Sequence, residues 1–265
     1  MTVMKDVMRR VLNWAKPIPA PQGPWPNAPV APDRPFVAVG DIHGRADLLL
    51  EMDRLIAARC PGWPVVFVGD YIDRGDRSRE VLELLMSVSP EGTPPVTCLM
   101  GNHERMLLDF LDAPAQAGPR WLRNGGLQTL ESFGLAPPLG TAGDASALGD
   151  LRDRLAEKMG PAMIDWLRAR PLSWHGGNVW VVHAGADPDL PMEEQADEAL
   201  LWGHHAFRRR PRADGQWVIH GHTIVDAPHA LSGRIALDTG AYATGRLSAA
   251  AISAEGVDFL GTGPA

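Results

Sequence analysis

The stretch FVAVGDIHGRADLL, residues 36–49, runs four apolar, strand-forming residues directly into Gly40-Asp41-Ile42-His43-Gly44. The spacing of apolar residues then becomes helical over 46–59. This is a strand, a sharp polar turn and a helix, the repeating unit of layered α/β folds. Asp41 and His43 at the end of a buried strand are costly to desolvate unless something pairs with them. The candidates are an ion pair, a hydrogen-bond network or a metal.

Working outward, the same unit recurs. Apolar, β-branched runs lie at 36–39, 65–68, 96–100, 179–182, 217–219 and 235–237. Helical periodicity follows several of them, at 46–59, 78–88, 104–112 and 120–133. Residues 174–179 have a turn-forming centre between strand-like flanks and predict a hairpin. The stretch 134–160, rich in Gly, Ala, Pro and Asp, reads as a loop leading into a helix. Upstream, residues 17–35 carry prolines so densely that an extended tether is expected, following a short amphipathic helix in 1–16. The predicted division is therefore 1–35, helix and tether, and 36–265, one catalytic-sized α/β domain.

The 265-residue composition is that of a globular protein, 45% hydrophobic and 22% charged, with a net charge of -7. That charge argues against a nucleic-acid partner, which would call for a basic face. The charges at Lys5, Asp6, Arg9 and Arg10 interrupt the N-terminal apolar pattern, so neither a signal peptide nor a transmembrane segment is expected. Cytoplasmic location is the expectation, and Cys60 and Cys98 are read as reduced, buried thiols. The oligomeric state is not readable.

Five predicted strands end in the same residue types: GDIHG at 40–44, GDYIDRG at 69–75, GNHE at 101–104, HAG at 183–185 and HGHT at 220–223. Loops at the carboxyl ends of strands in such sheets converge on one rim. Any one of these residues is ordinarily a turn or helix cap. Together they gather carboxylates that repel one another, and two divalent cations resolve that repulsion. Mixed nitrogen and oxygen donors suit manganese, iron or zinc better than calcium, with manganese favoured here.

In this order the motifs resemble the metallophosphoesterase (calcineurin-like) superfamily, and within it the phosphoprotein phosphatase branch with its small bacterial and phage serine/threonine phosphatases. The resemblance implies a four-layered α/β/β/α sandwich of two mixed sheets. It further implies that Asp41 and His43 hold one metal, that Asn102, His183 and His222 hold the other, and that Asp70 bridges them. Two such ions, about 3.5–4 Å apart, share and acidify the water that attacks phosphorus. By the same resemblance His103 is the general acid, Asp73 orients it, and Arg74 and Asn102 hold phosphate oxygens.

The chain also departs from that pattern. The branch supplies a second phosphate-binding arginine in a Leu-Trp-x-Arg context, and here His204 stands in that place after Leu201 and Trp202. Either His204 itself or one of Arg208, Arg209 and Arg210 is expected to serve. His222 is preferred over His220 as a metal ligand, with His220 beside the site, while His175, His205 and His229 read as surface or packing residues. The expected activity is metal-dependent hydrolysis of phosphoserine and phosphothreonine in proteins, with phosphotyrosine a further candidate. The alternatives are a symmetrical dinucleoside tetraphosphate hydrolase and an inactive phosphoprotein-binding scaffold.

Overall fold

The computed structural model describes residues 28–88, 92, 94–137 and 140–263. In the first half β1 (Phe36–Val39) leads to α1 (Ala46–Arg59), β2 (Val65–Phe67) to α2 (Ser78–Met86) and β3 (Val96–Cys98) to α3 (Asn102–Asp112). A helical excursion follows: α4 (Pro114–Trp121), a wide turn at Leu122–Gly126, α5 (Leu127–Ser132) and α6 (Ala145–Arg168). The second half contains β4 (Ser173–Gly176), β5 (Val179–Val182), α7 (Asp197–Trp202), β6 (Trp217–His220), β7 (His229–Leu231) and β8 (Arg234–Ala236). It closes with α8 (Ala241–Thr244), β9 (Ser248–Ser253) and β10 (Gly256–Gly261).

Two five-stranded sheets result, ordered β10-β9-β1-β2-β3 and β4-β5-β6-β8-β7. The first is parallel on one side, β1-β2-β3, and antiparallel on the other, where β1 pairs with β9 and β9 with β10; the second has a parallel centre, β6 lying between β5 and β8, and antiparallel edges. Strand alternation decides which layer each side chain joins. Phe36 and Ala38 point between the sheets, where they meet Val66, Val181, Ile219, Ile235 and Ile252. Val37 and Val39 point the other way, onto Met52, Leu82 and Leu107 of the helices. Each fully buried aliphatic side chain contributes roughly 1.5–3 kcal/mol, so a one-residue slip of β1 would be opposed by both cores at once. The outer face of the second sheet, Trp180, Val182 and Val218, is covered by Met192, Leu200 and Phe207. This is the expected four-layered sandwich, with its last layer reduced to the short α7 and adjoining coil.

Some elements differ from expectation. The predicted helix at 120–133 is broken because Gly125 adopts φ 107°, which ends α4 and starts α5 in a new direction. The loop predicted through 160 stops sooner, because the Asp144 carboxylate accepts the Ser146 and Ala147 N–H groups and caps α6. Strands β9 and β10 carry little β signal, SAAAIS in β9 being alanine-rich, and form because β1 offers β9 a ladder. The expected N-terminal helix and most of the tether lie outside the described residues. Residues 28–35, the last part of the expected tether, form no helix or strand and are docked: Asn178 exchanges hydrogen bonds with Ala31 and Pro29, and the Trp217 indole donates to the Ala28 carbonyl at 2.8 Å. Both cysteines are buried and free. Among the described residues no helix is long and apolar enough to cross a membrane.

Candidate metal centre

The polar turns after β1, β2, β3, β5 and β6 meet on one rim. Close approach requires glycine: a Cβ on Gly101 would lie 2.2 Å from the Asp70 nitrogen, and one on Gly221 would lie 1.8 Å from Asp41 Oδ1. Asp70, buried on the turn after β2, stands at the centre. Its Oδ2 faces His43 Nε2 at 3.6 Å and its Oδ1 faces His183 Nε2 at 3.4 Å. Two groups of side chains bring potential ligand atoms within 4.8 Å of one another, His43 with Asp70 and His103, and Asp70 with His183 and His222. Asp70 belongs to both.

The second group is arranged for a cation. His183 Nδ1 lies 3.1 Å from the Val68 carbonyl, so its proton sits there and Nε2 carries a lone pair. That lone pair is 2.7 Å from Asn102 Oδ1, which also lies 2.8 Å from His222 Nδ1. Burial lowers the His183 pKa to about 4, so no second proton separates these acceptors near neutrality. A metal bound here would supply the missing positive charge.

The first group follows the same logic. His43 Nδ1 lies 2.8 Å from the Ile72 carbonyl, leaving Nε2 available, and burial lowers the ring's pKa to about 3. An Arg74 amino group stands 2.9 Å from that Nε2. Arg74, expected to meet phosphate, thus lies against the imidazole in this conformation. Asp41 accepts the His222 N–H at 2.9 Å through Oδ2, while its buried Oδ1 has no hydrogen-bond partner among the described residues. Its carboxyl is held well above the usual range by burial first, then by Asp238 and Asp70. An orphaned carboxylate oxygen among acids is the signature of a donor set that fits divalent cations.

Beside this pair of groups lies a histidine–carboxylate dyad. His103 Nδ1 is 2.7 Å from Asp73 Oδ2. Asp73 is completely buried and also accepts from Thr129 Oγ1 at 2.6 Å and from Trp121 Nε1 at 3.1 Å. Burial disfavours a charged His103, but Asp70 and Asp73 outweigh it and raise its pKa. The arrangement favours the protonated form of an imidazole next to Asp70.

These features coincide with a known family. The calcineurin-like phosphoesterase family matches residues 34–226. The chain belongs to that family. A provisionally named serine/threonine-protein phosphatase of Schizosaccharomyces pombe is 46% identical over 70 residues, 26% of this chain and 22% of that protein. The match thus spans about a fifth of that relative's length. A structure provisionally assigned as a diadenosine tetraphosphatase shares the phosphoesterase fold at TM-score 0.61 and 20% identity, covering 90% of this chain and 99% of that one. The cold-active protein-tyrosine phosphatase of a Shewanella species aligns at TM-score 0.55 and 17% identity, over 88% of this chain and 83% of that one.

The phosphoesterase motifs place most of the expected residues together, but not all. His204 Nδ1 lies 3.8 Å from Asp187 Oδ1 and its ring packs on His205 at 4.2 Å. Neither contact is with the residues around Asp70. Arg210 pairs with Asp189 at the surface. His220 is buried with its ring against Phe207, because β6 ends there and His222 turns back with φ 62°. The same-face rule for residues two apart fails once the strand stops. Sequence reasoning missed four contributors. Glu104 accepts the N–H groups of Asp70, Tyr71, Ile72 and Gly101. Trp121 and Thr129 hold Asp73. Asp238, its pKa raised by burial to about 6, adds a further acid beside Asp41. Only Glu104 carried a signal, its place within GNHE.

Proposed function

We propose that this protein is a metal-dependent phosphomonoesterase acting on phosphoserine and phosphothreonine in proteins, with phosphotyrosine also accepted. The observation that supports it best is Asp70, with one oxygen toward His43 and the other toward His183, beside the His103–Asp73 dyad. Asp41, His43 and Asp70 would hold one divalent cation, and Asp70, Asn102, His183 and His222 the other; manganese is the first choice, iron or zinc the next. When bound, the pair supplies Lewis-acid charge and lowers the pKa of a water.

The chain's own residues do the rest. Asp73 fixes the His103 tautomer and favours the ring's protonated form, so that it can hand its proton to a leaving alkoxide. With His43 serving as a ligand, Arg74 would be released from its Nε2 and its planar fork would match two phosphate oxygens. The identity to a serine/threonine-protein phosphatase over 70 residues supports the protein substrate. The tetraphosphatase likeness keeps dinucleoside polyphosphates as the second reading.

The test is a manganese-supplemented assay of p-nitrophenyl phosphate, phosphoserine and phosphotyrosine peptides, and diadenosine tetraphosphate. The proposal expects turnover of the monoesters; turnover of the dinucleotide alone would replace it by the second reading. No turnover of any phosphoester would leave a binding scaffold.

A further inference from the structure

The site has guanidinium groups at both ends. At the His43 end, Arg74 lies over the Tyr242 ring at 5.0 Å, and Tyr242 meets His43 edge-on at 5.3 Å. At the His222 end, Arg120 lies over the Trp202 ring at 4.1 Å, and Trp202 meets His222 edge-on at 6.5 Å. Arg74 thus meets its candidate ligand directly with Tyr242 beside it, while Arg120 stands beyond the ring that meets His222. The two ends come from unrelated parts of the chain.

Arg120 combines a guanidinium stacked on an aromatic ring with hydrogen-bond donors that no acceptor takes up among the described residues. By contrast, Arg210 engages Asp189 and Arg212 engages Asp214. The carboxylate that feels its charge is Asp109, which it shares with Arg105. Its backbone is nevertheless fixed. Trp121, the next residue, is buried, stacks on Phe110 at 4.8 Å and donates to Asp73. The chain therefore ties the root of Arg120 to the carboxylate that orients His103, and rests its head on the ring that touches His222. An exposed arginine held at both ends, with its donors unspent, is prepared for an anion.

We propose that Arg120, seated on Trp202, is the second phosphate-gripping arginine of this site, supplied by α4 in place of the position His204 occupies. The proposal rests on the phosphomonoesterase reading above. Stacking on the indole limits the rotamer freedom that a free arginine would lose on binding. A dianionic phosphate then meets Arg74 from one side and Arg120 from the other.

The experiment uses the full chain loaded with manganese. Inorganic phosphate is titrated by calorimetry and, separately, as a competitive inhibitor of p-nitrophenyl phosphate hydrolysis. R120A is expected to weaken phosphate binding and raise KM by about 10- to 100-fold, the loss of a charge-assisted hydrogen-bonded pair, while kcat changes far less. R120K should recover part of the affinity, because it restores charge but not the fork, and W202A should give an intermediate loss. Phosphate affinity in R120A within twofold of the unaltered protein would overturn the proposal, as would a loss in H204A instead. If the unaltered protein binds phosphate yet hydrolyses no monoester, the phosphatase reading falls while calorimetry still judges Arg120. If it binds no phosphate at all, Arg120 has no such role.

Discussion

Glu104→Gln is the most informative single change. The Glu104 carboxylate is fully buried and takes four backbone N–H groups: Oε2 from Asp70 at 2.8 Å and Gly101 at 3.0 Å, Oε1 from Tyr71 at 2.8 Å and Ile72 at 3.3 Å. It joins the turn carrying Asp70 to the start of the helix carrying Asn102 and His103. Burial first, and the charge of Asp70 second, push its pKa up. A protonated acid would still have nowhere to send its hydrogen, since the groups bonded to it are all donors. Glutamine keeps one oxygen and turns its NH₂ toward two of those N–H groups. Each orphaned buried donor costs about 1–3 kcal/mol, and relief of repulsion with Asp70 returns a part. The expected net loss is about 3 kcal/mol, or about 6–12 °C in the unfolding midpoint for a domain of this size. Manganese affinity should fall about 10- to 100-fold as the two turns loosen. Glu83→Gln, which breaks only the exposed Arg79–Glu83 pair, is the control and should stay within about 0.5 kcal/mol. Calorimetric unfolding and metal titration at pH 7 decide the matter. A midpoint within 2 °C of the unaltered protein would mean that Glu104 is neutral, because glutamine resembles the protonated acid, and the clamp described here would not exist.

Other expected outcomes follow from the same geometry. Asp70→Asn should abolish metal binding and phosphomonoester hydrolysis together, and chelator should then no longer lower its unfolding temperature as it does that of the unaltered protein. His103→Asn should retain metal but slow alkyl phosphates by about 10²–10⁴-fold, aryl phosphates less, because a phenolate needs little protonation; equal losses would count against the acid role. Since Asp70 and Asp73 raise the pKa of His103, kcat for alkyl phosphates should fall as pH rises past a value above that of an ordinary histidine, with Asp73→Asn moving the fall to lower pH. Ser232→Gly, at a hairpin position with φ 53°, should stabilise the protein by up to about 1 kcal/mol in denaturant unfolding and leave hydrolysis unchanged.

Where a local signal existed, the chain was readable. The β-branched runs before Asp41, Asp70 and Asn102 gave the parallel side of one sheet, and those before His183 and His222 gave two strands of the parallel centre of the other. Alanine-rich β9 gave nothing, since its pairing comes from β1 and not from its own residues. The site divides in the same way. Residues inside the glycine-flanked turns, which the fold brings together, could be picked out because the turn chemistry is local. Trp121, Thr129 and Asp238 were not, because an indole, a hydroxyl or an acid in the middle of the chain becomes part of the site only when the fold delivers it to Asp73 or Asp41. The replacement of an arginine at 204 was visible, but Arg120 over Trp202 was not, since residues 82 apart carry no mark of their meeting.

Backbone conformation supplies an independent line of reasoning about which residues matter. Among the described residues six that are not glycine have φ in the left-handed region: His43, Asp70, Asp73, Arg74, His222 and Ser232. Such a backbone costs an L-residue about 1–2 kcal/mol, so the first five together cost an amount comparable with the whole net stability of a domain. Glycine would remove that cost, and the chain uses glycine freely at the neighbouring positions 44 and 69. It does not do so at these five, where the side chains face one another across the rim. The strain is borne by the two cores beneath, which fix β1, β2 and β6 and leave their turns no room to relax. Carboxylates and imidazoles so held are kept at close range without mutual neutralisation, and a cation entering between them would meet donors whose reorganisation has already been carried out by folding.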